Sequence, residues 1–258
     1  MASSPNPTRD VAAQEFWLNH LGQANALNRW VVSEFADVLG QRILEVGCGT
    51  GNFTCLLAET GAKVLGIDTE EAFVTTARTA TEAYPNARVE VGDVLESRWS
   101  SCFDTVVVLD VVEHIADDVG ALRCMTRALV AGGRLIAKVP AMPSLYGPMD
   151  EVVGYYRRYT RRTLADALSA AGLINVRVWA FNAAGVLGWW LNSKILRRRV
   201  PPAAQLRSFN RLVPVLRLAD RMSPAGFGLS LFAVGERSQS QPPTTLADLR
   251  PEAPHEGD

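Results

Sequence analysis

Between Ile43 and Pro140, strand-like apolar segments alternate with helical spacing, and several end in an acidic residue. "KVLGID" precedes a helical stretch over residues 70–83; "ARVEVGD" and "FDTVVVLDV" follow; the helical "VGALRCMTRAL" then leads into the strand-like "GGRLIAKVP". Strands separated by helical crossovers pair in parallel, with right-handed connections and helices on both faces of the sheet. A doubly wound, Rossmann-like α/β sheet is the expected core. Sheets of this kind take their ligands at the carboxyl ends of the strands, where the acidic residues sit.

The first segment, "ILEVGCGTGNFT", marks that end. Ile43 and Leu44 close an apolar strand, Gly47, Cys48, Gly49, Thr50 and Gly51 make a tight turn, and Phe53 to Ala58 start a helix. Glycines there let the backbone approach a ligand closely. The dinucleotide pattern G-x-G-x-x-G is not met, because the third glycine comes one residue early and Asn52 holds the sixth position. Glu45 precedes the turn, and a carboxylate beside it repels a pyrophosphate and attracts an ammonium or sulfonium cation. The expected ligand is therefore S-adenosylmethionine rather than NAD, held through Glu45, Gly47, Cys48 and Gly49. Asp68, beside Thr69 and 21 residues after Gly47, is suited to accept from two ribose hydroxyls. Asp93 and Val94 close the third strand, where a carboxylate and an N–H suit an adenine. Leu109 and Asp110 close the fourth, where a backbone carbonyl suits the methionine ammonium.

Composition narrows the class. Of 258 residues, 48% are hydrophobic, enough for one sizeable domain with a lid. The net charge of −1 hides an asymmetry. Residues 41–120 hold 5 Lys/Arg against 14 Asp/Glu and residues 151–221 hold 13 against 3, giving −9 and +10. These charges read either as solvated faces that attract one another or as a basic acceptor surface. Aromatic residues are not interleaved with bases as in a nucleic-acid module, so no nucleic-acid partner is expected. Cys48, Cys55, Cys102 and Cys124 form no C-x-x-C pair and read as small buried residues of a reducing compartment. "MASSPNPTRD" shows no basic-then-apolar signal pattern, and a cytoplasmic location is expected. Asn182, Asn192 and Lys194 interrupt the long apolar region from Val178 to Leu196, which argues against a membrane span.

The expected organisation is a helical cover over residues 1–40, with helical spacing from Phe16 to Leu39, then a catalytic domain over 41–237. Insertions fall at 141–163, rich in Pro, Gly, Tyr and Arg, and at 182–222, helical with a break at Pro201 and Pro202. The first insertion reads as a lid. "LADALSAAGL" reads as a helix, and "INVRVWAF" and "GLSLFAVGER" as strands. The proline-rich residues 238–258 read as a disordered tail.

"ILEVGCGTG", "VLGID", "VGDV", "FDTVVVLDVVEHI" and "LVAGGRLIAKVP" together make residues 41–140 resemble a class I S-adenosylmethionine-dependent methyltransferase. The resemblance implies a seven-stranded, mostly parallel sheet whose last strand, here "SLFAVGE", is antiparallel. Residues 145–173 further resemble a bacterial subgroup with a D-x-x-x-G-H-x-R-R-Y-T lid signature, met here by Gly154, Tyr155, Tyr156, Arg157, Arg158, Tyr159 and Thr160 after Asp150. Tyr155 stands where that signature has histidine.

Methyl transfer from a sulfonium needs positioning and exclusion of water, and a base where the acceptor is a hydroxyl or an acidic carbon. Of three histidines, His255 lies in the tail and His20 in the N-terminal cover, which leaves His114 as the candidate base; an alternative is a structural hydrogen-bonding role. Asp110, Glu113 and His114 also have the i, i+3, i+4 spacing of a metal site, a resemblance to ubiquinone-biosynthesis methyltransferases, although no metal is the favoured reading. Candidate acceptor contacts are Tyr146, Tyr155, Tyr156, Arg158, Trp179 and Asn182; Arg157 or Arg158 can instead pair with Asp150 or Glu151 to hold the lid. The expected acceptor is a small, largely apolar molecule, with natural-product biosynthesis as the setting. Alternatives are a lipid-linked or sugar acceptor at a membrane surface, or a cyclase or sensor that keeps the cofactor pocket without methylating.

Overall fold

The computed structural model describes residues 24–198, 202–222 and 226–239. Seven strands form one sheet: β1 (Arg42–Val46), β2 (Lys63–Asp68), β3 (Ala87–Val91), β4 (Phe103–Leu109), β5 (Leu129–Pro140), β6 (Leu173–Phe181) and β7 (Ser230–Arg237), in the order β3-β2-β1-β4-β5-β7-β6. β7 runs antiparallel between β5 and β6, and the other pairs are parallel. This is the Rossmann-like class I methyltransferase fold. Chain order reverses between β1 and β4, where Val46 pairs with both Ile67 and Val108. That reversal opens a crevice at the carboxyl ends of β1, β2 and β4.

Both faces of the sheet are buried, which is why β4 reads as a continuous apolar run. With period two, Leu44, Val106, Val108, Leu135 and Ala137 face one core, shared with Leu122 and Met125 of α4 (Asp118–Ala128) and Leu164 and Leu168 of α6 (Arg161–Ala170). Ile43, Val64, Val107, Ile136 and Phe232 face the other. That core is completed by Trp30 and Val31 of α1 (Asn25–Ser33) and Leu57 of α2 (Asn52–Ala58). α3 (Glu71–Thr81) packs Val74 and Ala77 beside Cys48 and Val89. Of the one or two helices anticipated from Phe16 to Leu39, the described residues hold one. It runs over Asn25–Ser33 and is followed by a single 3-10 turn at Ala36–Val38. Residues 16–23, and with them His20, lie outside the described residues, as do residues 240–258 with His255.

β5 begins at Leu129, earlier than the "GGRLIAKVP" reading. The register between β4 and β5 slips between Phe103 and Thr105, and Gly132 (φ 75°) lies within the slipped stretch, so an irregularity is absorbed inside the strand rather than before it. After β5 the chain makes a 3-10 turn at Pro143–Leu145 and the short α5 (Pro148–Val153), then returns to the sheet's end: Tyr159 N donates to Pro140 O at 2.9 Å and Met142 N to Tyr159 O at 3.1 Å. The second insertion folds as α7 (Ala183–Trp190), a π turn at Leu191–Ile195, and α8 (Ala203–Arg221), which contains Pro214. Of the two prolines expected to break it, Pro202 immediately precedes α8 and Pro201 lies outside the described residues.

Phe232 is fully buried at the centre of the second core, its ring 5.1 Å from Phe181, 5.6 Å from Trp179 and 5.9 Å from Phe35. Phe232→Ala removes contacts to three aromatic rings and leaves a cavity under β7. Urea unfolding is expected to show a loss of about 3–5 kcal/mol; a loss below about 1 kcal/mol would mean the sheet closes around the missing ring.

Candidate active site

A cavity of about 620 Å³ lies over the crevice. Its floor is the β1 turn. Gly47 (φ 77°) and Cys48 both donate their N–H groups to Ile67 O, at 2.8 and 2.9 Å, so the turn is tied to β2. A Cβ on Gly47 would lie 2.3 Å from Val111 Cγ2, in a left-handed conformation that other residues avoid. Any side chain there would push the turn away from the loop after β4.

Asp68 closes β2 beside the turn. Its Oδ2 accepts from Gly49 N at 2.9 Å and its Oδ1 from Glu70 N at 3.0 Å, so two backbone groups fix the carboxylate while further lone pairs remain for a ligand. Asp93 is held similarly, its Oδ1 accepting from Leu95 N at 2.8 Å. Gly47, Cys48, Gly49, Asp68, Thr69, Asp93, Val94, Leu109 and Asp110 all line the cavity. Burial raises the Cys48 thiol far above its ordinary range, so it stays neutral.

Glu45 is corrected. It is 2% exposed, does not line the cavity, and accepts from Thr54 Oγ1 at 2.5 Å behind the turn. Burial pushes its carboxyl up to about 7, against the Thr54 hydrogen bond and assisted by Asp68. It is a buried support for the turn, not an exposed anion facing a cation.

The other end of the cavity is built from three segments: His114 and Ile115 after β4; Val153, Tyr155 and Arg158 of the lid; and Phe181, Asn182 and Trp189 around the start of α7. The His114 ring packs edge-on against Tyr155 with centroids 4.8 Å apart. The lid is fastened to the loop after β4. Tyr156 N donates to Glu113 O at 2.8 Å, Arg157 Nη2 to Ala116 O at 2.6 Å, and Asp118 Oδ2 meets both Arg157 Nη1 (2.8 Å) and the Tyr159 hydroxyl (2.7 Å). Arg158 Nε donates to Asp150 Oδ1 at 2.7 Å and its Nη1 to Ala141 O at 2.8 Å, and its guanidinium lies 4.7 Å from the Trp189 ring centroid. Burial raises the Asp150 carboxyl, against the opposing pull of the adjacent Arg158 guanidinium.

Three anticipated acceptor contacts do not line the cavity. Tyr146 spends its hydroxyl on Tyr155 O at 2.8 Å; Tyr156 is drawn toward the β4 loop; and Trp179 stacks on Phe232 while its indole N–H donates to Glu34 at 3.3 Å. Asn182 does line it, but its Oδ1 caps α7 by accepting from Gly185 N at 2.9 Å. The spacing anticipated for Asp110, Glu113 and His114 does not become a helical face. Asp110 has φ 56° and is ion-paired to Lys138, and only a 3-10 turn spans Val112–His114, so the i, i+3, i+4 face of an α-helix never forms. Glu113 is fully buried outside the cavity, and burial together with Asp110 raises its carboxyl well above the ordinary range. Among the described residues no three His, Cys, Asp or Glu side chains are grouped to hold a metal ion.

Lys138 was missed by the sequence reading, although a lysine inside the apolar run "GRLIAKVP" was a signal. It lines the cavity and neutralises Asp110. Leu27, Asn28 and Val31 of α1 also reach the cavity, so the N-terminal cover forms part of its wall.

Residues 44–137 match the methyltransferase domain family. The ubiquinone biosynthesis O-methyltransferase of Acinetobacter baylyi is 28% identical over 136 residues, covering 49% of this chain and 57% of that protein. The enzyme of the same name from Xanthomonas oryzae pv. oryzae is 33% identical over 107 residues, covering 40% and 45%. The chain thus spans about half the length of these curated relatives. Among solved structures, Haemonchus contortus phosphoethanolamine N-methyltransferase 2, in complex with phosphomonomethylethanolamine and S-adenosylhomocysteine, aligns with a TM-score of 0.60 at 21% identity, covering 83% of this chain and 53% of that one.

The raised Glu45 carboxyl makes a pH prediction. Its folded value, about 7, lies above the unfolded 4.5, so its contribution is fully present below pH 4.5 and is lost as pH rises toward 7, at up to about 1.4 kcal/mol per pH unit. Glu45→Gln stays neutral throughout. In urea unfolding, the change in stability from pH 5 to pH 7 is expected to be about 2 kcal/mol more favourable in the variant than in the wild type; an equal change would assign Glu45 an ordinary pKa.

Proposed function

The chain carries a class I S-adenosylmethionine-dependent methyltransferase domain, and from that premise we propose that it transfers a methyl group to a small, largely apolar acceptor. The observation that carries the cofactor assignment is Asp68, fixed by Gly49 N and Glu70 N with lone pairs left over, at the edge of a cavity whose floor is a glycine turn with no room for a Cβ. The cavity's volume lies within the range of small-molecule sites. Asp68 would hold the ribose hydroxyls, Asp93 and Val94 the adenine, and the Gly47–Gly49 backbone with Leu109 the amino-acid end. When bound, the cofactor supplies an electrophilic methyl on a sulfonium whose departure leaves a neutral thioether.

The rest of the site serves positioning and proton removal. Val153, Ile115, Phe181 and Trp189 give the acceptor end an apolar wall and exclude water. His114, against Tyr155, is the base where the acceptor is a hydroxyl or an acidic carbon. Tyr155 cannot share that role, because burial and the nearby Glu113 raise its phenol well above the ordinary range. The O-methyltransferase names of the curated relatives are consistent with an acceptor hydroxyl, and natural-product biosynthesis is the setting we favour.

Two measurements test the proposal. Calorimetry is expected to show binding of S-adenosylmethionine and S-adenosylhomocysteine that Asp68→Ala and Gly47→Val each weaken by about tenfold or more; undiminished binding in both variants sinks the assignment. With an acceptor found by mass spectrometry of a panel, His114→Ala is expected to lower turnover about a hundredfold with cofactor affinity intact, and Tyr155→Phe to cost much less. Near-normal turnover in His114→Ala would leave catalysis to positioning alone. Cofactor binding with no adenosylhomocysteine formed from any acceptor would favour a cyclase or a sensor.

A further inference from the structure

The insertion from Asn182 to Met222 contains eight Lys/Arg and a single acid, Asp220. That acid is turned inward, accepting from Asn182 N at 3.2 Å and Ala183 N at 2.6 Å, so it holds the base of the α7–α8 pair. α8 buries Val213 on the side where Asn210 accepts from Leu27 N of α1. On the opposite side Leu212, Val215 and Leu218, with Met222 just past the helix end, recur every three or four residues and are 53% to 82% exposed. Arg211 and Arg221 are exposed on the same helix. Phe209 and Val213 pack on the second core, so α8 carries the usual core-facing apolar side and a second apolar row that faces outward. α7 likewise turns Leu187 and Trp190 outward, and the exposed Lys194, Arg197 and Arg198 follow it.

An apolar row set among cations, with no outward acid, calls for a partner that is both apolar and anionic. A second copy meeting the same face about a two-fold axis would bring the cations of one copy against those of the other, with no outward acid of either insertion to answer them. A nucleic acid would satisfy the arginines and leave four large apolar side chains in water. A bilayer of anionic phospholipid satisfies both, with arginines at the phosphates, the apolar row at the acyl boundary and a tryptophan at headgroup level. Among the described residues no helix is long and apolar enough to cross a membrane, which fits a helix lying along the surface.

We propose that the outer face of α8, with Leu212, Val215, Leu218 and Met222 flanked by Arg211 and Arg221, is a docking surface for an anionic phospholipid membrane. The proposal does not depend on methyl transfer.

Sedimentation of the full chain with vesicles tests it. Vesicles of phosphatidylcholine with about a third phosphatidylglycerol are expected to bind at least about tenfold more tightly than phosphatidylcholine alone, with the preference shrinking at high salt. Val215→Asp combined with Leu218→Asp, and separately Arg211→Glu combined with Arg221→Glu, are each expected to weaken binding by about tenfold or more, with melting temperature unchanged because these positions are exposed. Met222→Asp alone gives the same readout should the first pair lower stability. Equal binding to both vesicles, no binding, or binding indifferent to these changes overturns the proposal. So does a concentration-dependent dimer that Val215→Asp with Leu218→Asp dissolves, or a duplex oligonucleotide that displaces the vesicles at equal concentration.

Discussion

Burial of the central sheet on both faces is the constraint from which the site follows. β4 runs through the middle with Thr105, Val106, Val107 and Val108 wholly inaccessible, so neither face of that strand tolerates an uncompensated polar group. Polar function is confined to the strand ends, and the parallel pairing of β1, β2 and β4 brings their carboxyl ends to one rim. Once Val46 is level with Ile67 and Val108, Asp68 is close enough to take Gly49 N, and Val111 sits where a Cβ on Gly47 would be. The turn, the acid and the loop after β4 are one consequence of register, which is why a change at any of them disturbs the others.

The lid depends on a second, costlier arrangement. Arg158 and Asp150 have side chains 1% and 0% exposed, and removing two charges from water is repaid only when each is close to its partner and further hydrogen-bonded. Both conditions hold: Arg158 also donates to Ala141 O and stacks against Trp189, and Asp150 Oδ2 accepts from Gly147 N at 2.9 Å. The pair links the lid, the end of β5 and the second insertion at one buried point. Glu113 illustrates the other solution available to a buried acid. Neither of its carboxyl oxygens is hydrogen-bonded among the described residues, and with Asp110 nearby it is driven toward the neutral form rather than left as a buried anion.

The sheet and the rim were legible because they rest on local, repeating signals: period-two burial in the strands, helical spacing between them, and glycines where the backbone turns sharply. The acids at the ends of β2 and β3 could be placed by the same count. What sequence could not resolve was which polar groups reach the cavity. Glu45 and Asp68 are acids on the same face of the sheet beside the same turn, yet Glu45 lies level with Gly66, inside the strand's end and under Thr54 of α2, while Asp68 closes β2 and lines the cavity. The lid aromatics posed the same problem without a period to help: Tyr155 reaches the cavity while Tyr146 and Tyr156 are taken up by backbone contacts in an irregular segment. The i, i+3, i+4 spacing of Asp110, Glu113 and His114 misled because it presumes a helix, and Asp110 in a left-handed conformation starts none.

The charge asymmetry along the chain resolves into two different things. In the lid and α6, the cations are largely engaged within the protein: Arg157 with Asp118 and Ala116, Arg158 with Asp150 and Ala141, Arg161 with Val178 O, and Arg162 at 3.7 Å from Asp166. Their excess over acids in sequence therefore does not become a free positive surface, since carbonyl oxygens and the carboxylates of Asp118, Asp150 and Asp166 answer most of it. In the second insertion the only acid points inward, and Arg211 and Arg221 are exposed beside apolar side chains that are exposed too. Basic residues thus act as internal strapping in one segment and, on α8, as part of an outward-facing surface in the next. What separates them is placement: Arg198 still finds Asn192 Oδ1 at 3.1 Å and Lys194 the Tyr146 carbonyl, whereas Arg211 and Arg221 are exposed beside exposed apolar side chains.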